Sequence, residues 1–169
     1  MDSTSLRPFR DADIEAVVDL SLRAWTPVFS SFGTVLGDDL YQRIYPDWRT
    51  QQAEAVRQAL DDNETWVSVA SDTVVGFVNL VVDSDEGAGE IYMIAVDPDF
   101  QQRGIASDLT EFALTEMRRQ GLTLATVATG GDPGHLPARR TYEKAGFTPF
   151  PQVLYTKLLG SDDGDRPGS

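Results

Sequence analysis

Ile94-Ala95-Val96-Asp97-Pro98-Asp99-Phe100-Gln101-Gln102-Arg103-Gly104-Ile105-Ala106 is the stretch whose reading decides the fold. It passes from an apolar strand, through a turn begun by Asp97-Pro98, into a helix. The first turn of a helix leaves backbone N–H groups without partners and carries the positive end of the helix dipole, so an anion is held there when the backbone is approachable. Gly104 removes a side chain where a phosphate must come close, Ala106 is nearly as small, and Arg103 adds positive charge. The stretch is not a Walker A loop, because no Gly-Lys-Ser/Thr follows, and it lacks the G-x-G-x-x-G of dinucleotide-binding folds. Taken alone it reads equally as a tight strand–helix junction.

On the C-terminal side, Ile105, Leu109, Phe112, Ala113 and Met117 share one face of a helix over 104–120, which Gly121 caps. A strand at 122–128, a glycine-rich loop at 129–134, a helix at 137–145 and strands at 147–150 and 153–159 are expected to follow. On the N-terminal side, 90–96 is the strand that feeds the turn. Residues 65–71 and 74–82 are β-branched, apolar segments joined by Ser71-Asp72, the pattern of a hairpin. Ile14, Val17, Val18, Leu22 and Trp25 form one helical face that Pro27 is expected to end. Short helices, the last over 48–60, occupy the segment up to Leu60, and a short strand at 3–9 opens the chain. The order β-α-α-β-β-β-α-β-α-β-β makes an α/β (α+β) mixed sheet with helices on its faces. Ligands in such folds favour the carboxyl ends of strands.

One domain over 1–159 suits this length, and the acidic, Gly- and Pro-containing 160–169 segment is expected to be a disordered tail. The chain has no cysteine and one histidine, and a formal charge of −13. These values exclude a disulfide framework and a cysteine nucleophile, and no metal is expected. The acidity disfavours nucleic acid as a partner and favours a cationic substrate such as an amine. No apolar run approaches the ~20 residues of a membrane span. With no basic-then-apolar segment at the start, a cytoplasmic location is the expectation.

Gln101-x-x-Gly104-x-Ala106, preceded by Val96-x-Pro98, resembles the Q/R-x-x-G-x-G/A motif of the GNAT superfamily of N-acetyltransferases. Further along, Ala138-Arg139-Arg140-Thr141-Tyr142-Glu143-Lys144-Ala145-Gly146-Phe147 resembles that family's A-x-x-x-Y-E-x-x-G-F segment. The resemblance implies a GNAT-like fold and acetyl-CoA as acyl donor. The strands at 90–96 and 122–128 would splay, and pantetheine would lie between them along Ile94, Ala95 and Val96. The backbone of Gln101, Gln102, Arg103, Gly104, Ile105, Ala106 and Ser107 would hold the pyrophosphate, with further coenzyme contacts from His135, Arg139 and Tyr142. It also implies direct attack by an amine on the thioester. Dimers are common in the family, so a homodimer is among the expectations.

Acetyl transfer to an amine needs a base, a donor to the carbonyl oxygen and an acid for the leaving thiolate. The resemblance makes Tyr142 the candidate acid. Glu90 is a candidate base, and simple strand alternation puts it on one face with Tyr92, Ile94 and Val96. His135 is a second candidate, in a position where many family members carry Asn. Trp25, Phe29, Phe32 and Tyr41, with Tyr45 and Trp48, lie in the segment that walls the acceptor pocket in this family, and Asp83 is a candidate contact to a cationic substrate. Strand 122–128 has no carboxylate of the kind that ribosomal-protein N-terminal acetyltransferases use, which ranks a small amine above a peptide N-terminus. Acetylation of a protein or peptide and non-catalytic acyl-CoA sensing are the alternatives.

Overall fold

The computed structural model describes residues 4–159. Five strands form one mixed sheet in the order β1-β2-β3-β4-β5: β1 is Ser5–Pro8, β2 Glu64–Ala70, β3 Thr73–Asp83, β4 Ala88–Val96 and β5 Leu124–Val127. The first four pair antiparallel, and β5 pairs parallel to β4. The hairpin expected at Ser71-Asp72 is present, with both turn residues at positive φ (46° and 63°). That left-handed conformation matches the twist of a two-residue hairpin turn, and Asp tolerates it.

Helices cover both faces. On one lie α1 (Ile14–Leu36), α2 (Asp38–Ile44) and α3 (Trp48–Asp62), whose core joins Val17, Val18, Leu20, Val56 and Leu60 to Val67 and Phe77 of the sheet. On the other lies α4 (Ile105–Arg119), packing Ile105, Leu109, Ala113 and Met117 against Val75, Val78, Leu80 and Ile91. α5 (Leu136–Lys144) follows a single 3₁₀ turn at Pro133–His135.

Two expectations from sequence are corrected. Pro27 does not end the first helix, because α1 continues to Leu36. A proline inside a helix removes one hydrogen bond and crowds the preceding turn, at about 3 kcal/mol. Here the apolar face runs on through buried Val28 and Phe29, and that packing offsets the defect. The strands expected at 147–150 and 153–159 do not form. Phe150, Leu154 and Tyr155 are 84%, 91% and 89% exposed on an irregular segment. Pro149 and Pro151 flank Phe150 and supply no N–H to a ladder, and β5 offers only four residues of edge. The proposed tail at 160–169 lies outside the described residues.

A third difference matters for the site. Asn79 pairs with Met93 and Leu80 with Ile91, which leaves Tyr92 as an extra residue, a β-bulge. The bulge shifts the alternation by one. Gly89 and Ile91 face α4 before it, and Ile94 and Val96 do so after it. Met93 and Ala95 face α1. Glu90 and Tyr92 therefore share the α1–α3 face and do not share a face with Ile94 and Val96.

Candidate active site

β5 pairs only with Ala88 through Ile91. From the bulge onward, Tyr92–Val96 has no strand on that side among the described residues, so the sheet opens where β4 runs toward the α4 turn. The gap predicted between these two strands is present, and its mouth coincides with the bulge.

The turn beyond Val96 is held from within. Asp97 is buried, and its Oδ1 accepts from the Asp99 N–H (3.0 Å). Arg23 of α1 grips both Asp97 oxygens at 2.9 and 2.7 Å. Burial pushes the Asp97 carboxyl up, but Arg23 and the Asp99 N–H outweigh that and hold it below the usual carboxylate range. Gln101 Nε2 donates to the Val96 carbonyl (3.1 Å), and Arg103 lies over the Phe100 ring and donates to the Asp99 carbonyl (2.9 Å). Gly104 sits at φ +88°, and a Cβ there meets no atom within 4 Å. Gln102 is also left-handed, at φ 60°. Asp108 is the first residue of the helix whose N–H finds a backbone carbonyl, that of Gly104 (3.0 Å). The N–H groups of Gln102 to Ser107 donate to no carbonyl among the described residues, and the Ile105 side chain is turned into the core. This is an open row of backbone donors at a helix N-terminus with no side chain over its glycine, the environment a pyrophosphate requires.

Tyr142 is 7% exposed on α5, with its ring edge-on to Phe147 at 6.0 Å. Burial pushes its phenol up to about 12. Its hydroxyl makes no hydrogen bond among the described residues.

At the other end of α5, the predicted acceptor-wall aromatics and His135 come together. Phe29 stacks on Trp48 (4.1 Å between centroids), Phe32 stacks on Tyr45 (5.4 Å), Tyr41 leans on Tyr45 (5.6 Å), and the His135 ring lies 5.6 Å from Phe32. Trp25 is apart from this group, edge-on to Phe77 in the core beneath α1. His135 Nδ1 is 2.5 Å from Asp132 Oδ1, while Asp132 Oδ2 accepts from the Ser31 hydroxyl (2.7 Å) and the Gly134 N–H (3.0 Å). Arg139 holds the same loop through the carbonyls of Gly130 (2.6 Å) and Asp132 (2.8 Å).

Glu90 is half-buried beside the start of the gap, paired in register with Thr126 of β5. Asp83 is exposed at the far end, where its carboxylate closes a turn by accepting from the N–H groups of Asp85 and Glu86. It pairs opposite Ala88, eight residues or roughly 26 Å of strand before Val96. Sequence reasoning missed Arg23, Asp97, Ser31 and Asp132, which brace the candidate site. From sequence, Asp97 reads only as the start of a turn. Ser31 and Asp132 meet across 101 residues, which no local pattern reveals.

The sequence pattern of the acetyltransferase (GNAT) family matches residues 35–147. The chain belongs to that family. Among curated GNAT relatives, the mycothiol acetyltransferase of Actinosynnema mirum is 32% identical over 146 residues, 85% of this chain and 43% of the relative. That of Nocardiopsis dassonvillei is 29% identical over 167 residues, 96% and 47%. The chain thus spans less than half the length of these relatives. Solved structures share the GNAT fold. The PaiA N-acetyltransferase of Thermoplasma acidophilum, in complex with coenzyme A, superposes with a TM-score of 0.65 at 15% identity, covering 86% of this chain and 90% of that one. An aminoglycoside N-acetyltransferase in complex with CoA gives 0.62 at 15% identity, covering 94% and 96%. No helix among the described residues is long and apolar enough to cross a membrane.

Proposed function

We propose that this GNAT domain transfers the acetyl group of acetyl-CoA to the amine of a small cationic molecule. The observation that carries the donor half is the row of free N–H groups from Gln102 to Ser107 around an uncovered Gly104. Those groups hold the pyrophosphate, with Arg103 adding charge beside them. The stretch from Tyr92 to Val96, open on its β5 side, offers backbone groups along which pantetheine lies like an added strand, at Ile94, Ala95 and Val96. Acetyl-CoA bound there supplies a thioester, and every remaining task falls to the chain.

Tyr142 donates a hydrogen bond to the sulfur as charge develops on it. A phenol pushed up to about 12 stays protonated at neutral pH. Its proton is held more tightly than that of an ordinary thiol, whose pKa is about 8.5, so Tyr142 stabilises the thiolate as a donor more than it gives up its proton outright.

The acceptor half rests on the aromatic group of Phe29, Phe32, Tyr41, Tyr45 and Trp48, and on the net charge of −13. Aromatic faces and an acidic surface both attract organic cations. The names of the relatives and neighbours point the same way, since a mycothiol acetyltransferase and an aminoglycoside N-acetyltransferase both act on small molecules.

The test is thiol release from acetyl-CoA across aminoglycosides, aminosugars, polyamines, lysine peptides and peptide N-termini. The chain has no cysteine, so a thiol-reactive dye reports coenzyme A alone. Turnover with small amines is the expected result. Turnover confined to peptides would move the acceptor to proteins, and tight coenzyme binding without any turnover would make the domain a sensor.

A further inference from the structure

The acetyl-transfer chemistry above still lacks a group to make the acceptor amine neutral. The loop that follows β5 carries one that is unusually well fixed. Asp132 is held below the usual carboxylate range: burial pushes it up, and the Ser31 hydroxyl, His135 and the Gly134 N–H outweigh that. An ionised carboxylate only accepts, so the 2.5 Å contact puts the imidazole proton on Nδ1. The lone pair of the neutral ring is then on Nε2, to which no group among the described residues donates.

Two glycines make this packing feasible. A Cβ at Gly130 would overlap both Asp132 Oδ1 and His135 Nδ1, and a Cβ at Gly134 would crowd Ser31 and Asp132. The charged and titratable groups around the imidazole are few. Asp132 lies on its own loop, α1 presents Ser31 and the Phe32 ring, and the Arg139 guanidinium of α5 is spent on the Gly130 and Asp132 carbonyls.

The dyad also stands in a useful relation to Tyr142. His135 closes the 3₁₀ turn as the N-cap of α5, and Tyr142 follows seven residues on, roughly 10 Å along the helix axis. His135 packs on α1 at one end of α5, and Tyr142 packs through Phe147 toward the α4 core at the other. Base, amine nitrogen, tetrahedral carbon, sulfur and the donor to sulfur form a bent chain whose ends lie somewhat under about 10 Å apart.

We infer that His135, oriented by Asp132 and Ser31, is the general base that takes a proton from the acceptor's ammonium group. The inference rests on the reading of the domain as an amine acetyltransferase. The ammonium gives one proton to Nε2, and its nitrogen pair bonds to the thioester carbonyl carbon. The C–S bond breaks with its electrons on sulfur, and the second proton lost by nitrogen balances the thiolate as free thiol. His135 returns its proton to water, so one proton is released per turnover. Glu90, on the α1–α3 face without an Asp or His partner, is the competing base.

The experiment has two arms. His135 is the only histidine, so its ring nitrogens are read by NMR without assignment. The neutral ring should carry its proton on Nδ1 in the wild type and lose that preference in Asp132→Asn. A wild-type proton on Nε2 would overturn the proposal, whatever the activity. In the second arm, kcat/KM is followed from pH 6 to 10 for His135→Gln and Glu90→Gln with the best acceptor among kanamycin, spermidine and glucosamine. His135→Gln should fall about 100-fold at neutral pH and recover toward wild type as the amine deprotonates by itself, a pH dependence that loss of a coenzyme contact would not produce. A uniform loss at every pH would make the dyad structural, and a wild-type profile, or the lost acid limb in Glu90→Gln instead, would move the base elsewhere. Absence of wild-type turnover with all three amines would sink the amine-acetyltransferase reading itself, while the tautomer result would still stand.

Discussion

Arg23 and Asp97 are joined by two hydrogen bonds, of 2.9 and 2.7 Å, across 74 residues of sequence. The pair ties α1 to the turn that presents the free N–H groups of Gln102 to Ser107. Arg23 is half exposed and Asp97 nearly buried, so the two ends of the pair are not equivalent. Removing Asp97 leaves the Asp99 N–H and Arg23 without their acceptor, whereas removing Arg23 leaves a buried carboxylate. Asp97→Ala should cost about 2 kcal/mol, less than a fully buried pair because solvent already screens Arg23. Coenzyme A should bind several-fold more weakly. Urea midpoints and coenzyme titrations check both, and unchanged affinity in a destabilised variant would detach the pair from the site.

The same pair makes a statement about pH. The folded-state pKa of Asp97 is depressed, so its contribution is full above the unfolded value of about 3.9 and is lost as pH falls through the lower folded value. Asp97→Asn cannot ionise. The stability gap between wild type and Asp97→Asn should therefore be constant at neutral pH and close only below about pH 4. Urea unfolding at a series of pH values measures the gap, and one that closes above pH 5 would contradict the depressed pKa.

Gly104 separates backbone conformation from ligand contact. At φ +88° with no neighbour within 4 Å, an added side chain meets strain but no clash. Gly104→Ala should cost about 1 kcal/mol, the price of a left-handed backbone for an L residue. Gly104→Glu should fold comparably and fail to bind coenzyme A, because its carboxylate stands where the phosphates must come. Isothermal titration against thermal melts distinguishes the two effects, and normal affinity in Gly104→Glu would refute the pyrophosphate reading.

The turn proposed for the donor was legible because it is local. A strand, a Pro-containing turn and a glycine at a helix start occupy thirteen consecutive residues from Ile94 to Ala106, and helix-end physics acts within them. The Tyr92 bulge was illegible for the opposite reason. It arises from how β4 meets β3, and apolar residues on both faces of Ile91–Val96 hide the change of phase. Pro27 misled because helix propensity is a local prior and the packing of Val28 and Phe29 is not. The strands expected at 147–150 and 153–159 do not form. Pro149 and Pro151, visible in the sequence, were the better signal.

Glu116 offers a check on acid sensitivity away from the site. Arg119 and then Gln120 bring its carboxyl down to about 2. Gln120 also reaches Glu64, which links the end of α4 to the start of β2. The sign is that of Asp97: the contribution is present above the unfolded value of about 4.3 and fades as pH falls toward about 2. Arg119 is 70% exposed, so the effect is screened. Glu116→Gln should cost no more than about 1 kcal/mol at neutral pH and less in high salt. A loss that persists in 1 M salt would show that hydrogen bonding dominates over charge.

Tyr142→Phe isolates the hydroxyl. The ring keeps its edge-on contact with Phe147, and the hydroxyl has no hydrogen-bond partner among the described residues, so the fold loses almost nothing. Stability should stay within about 0.5 kcal/mol of wild type. Coenzyme A affinity should hold within a few-fold if the backbone turn carries the pyrophosphate as proposed. The turnover number should fall about 100-fold, the loss expected when one donor to a developing anion is removed. The wild-type pH profile adds an independent constraint. A phenol at about 12 is protonated throughout the working range, so Tyr142 sets no alkaline limb below about pH 11. Pre-steady-state acetyl transfer in the variant, followed at pH 7 and pH 9.5, should show the same fractional loss at both. An unchanged turnover number would strip Tyr142 of its role at the sulfur. A wild-type alkaline limb near pH 9 that vanishes in Tyr142→Phe would mean that the bound coenzyme pulls the phenol's pKa back down, making full proton transfer to the thiolate favourable.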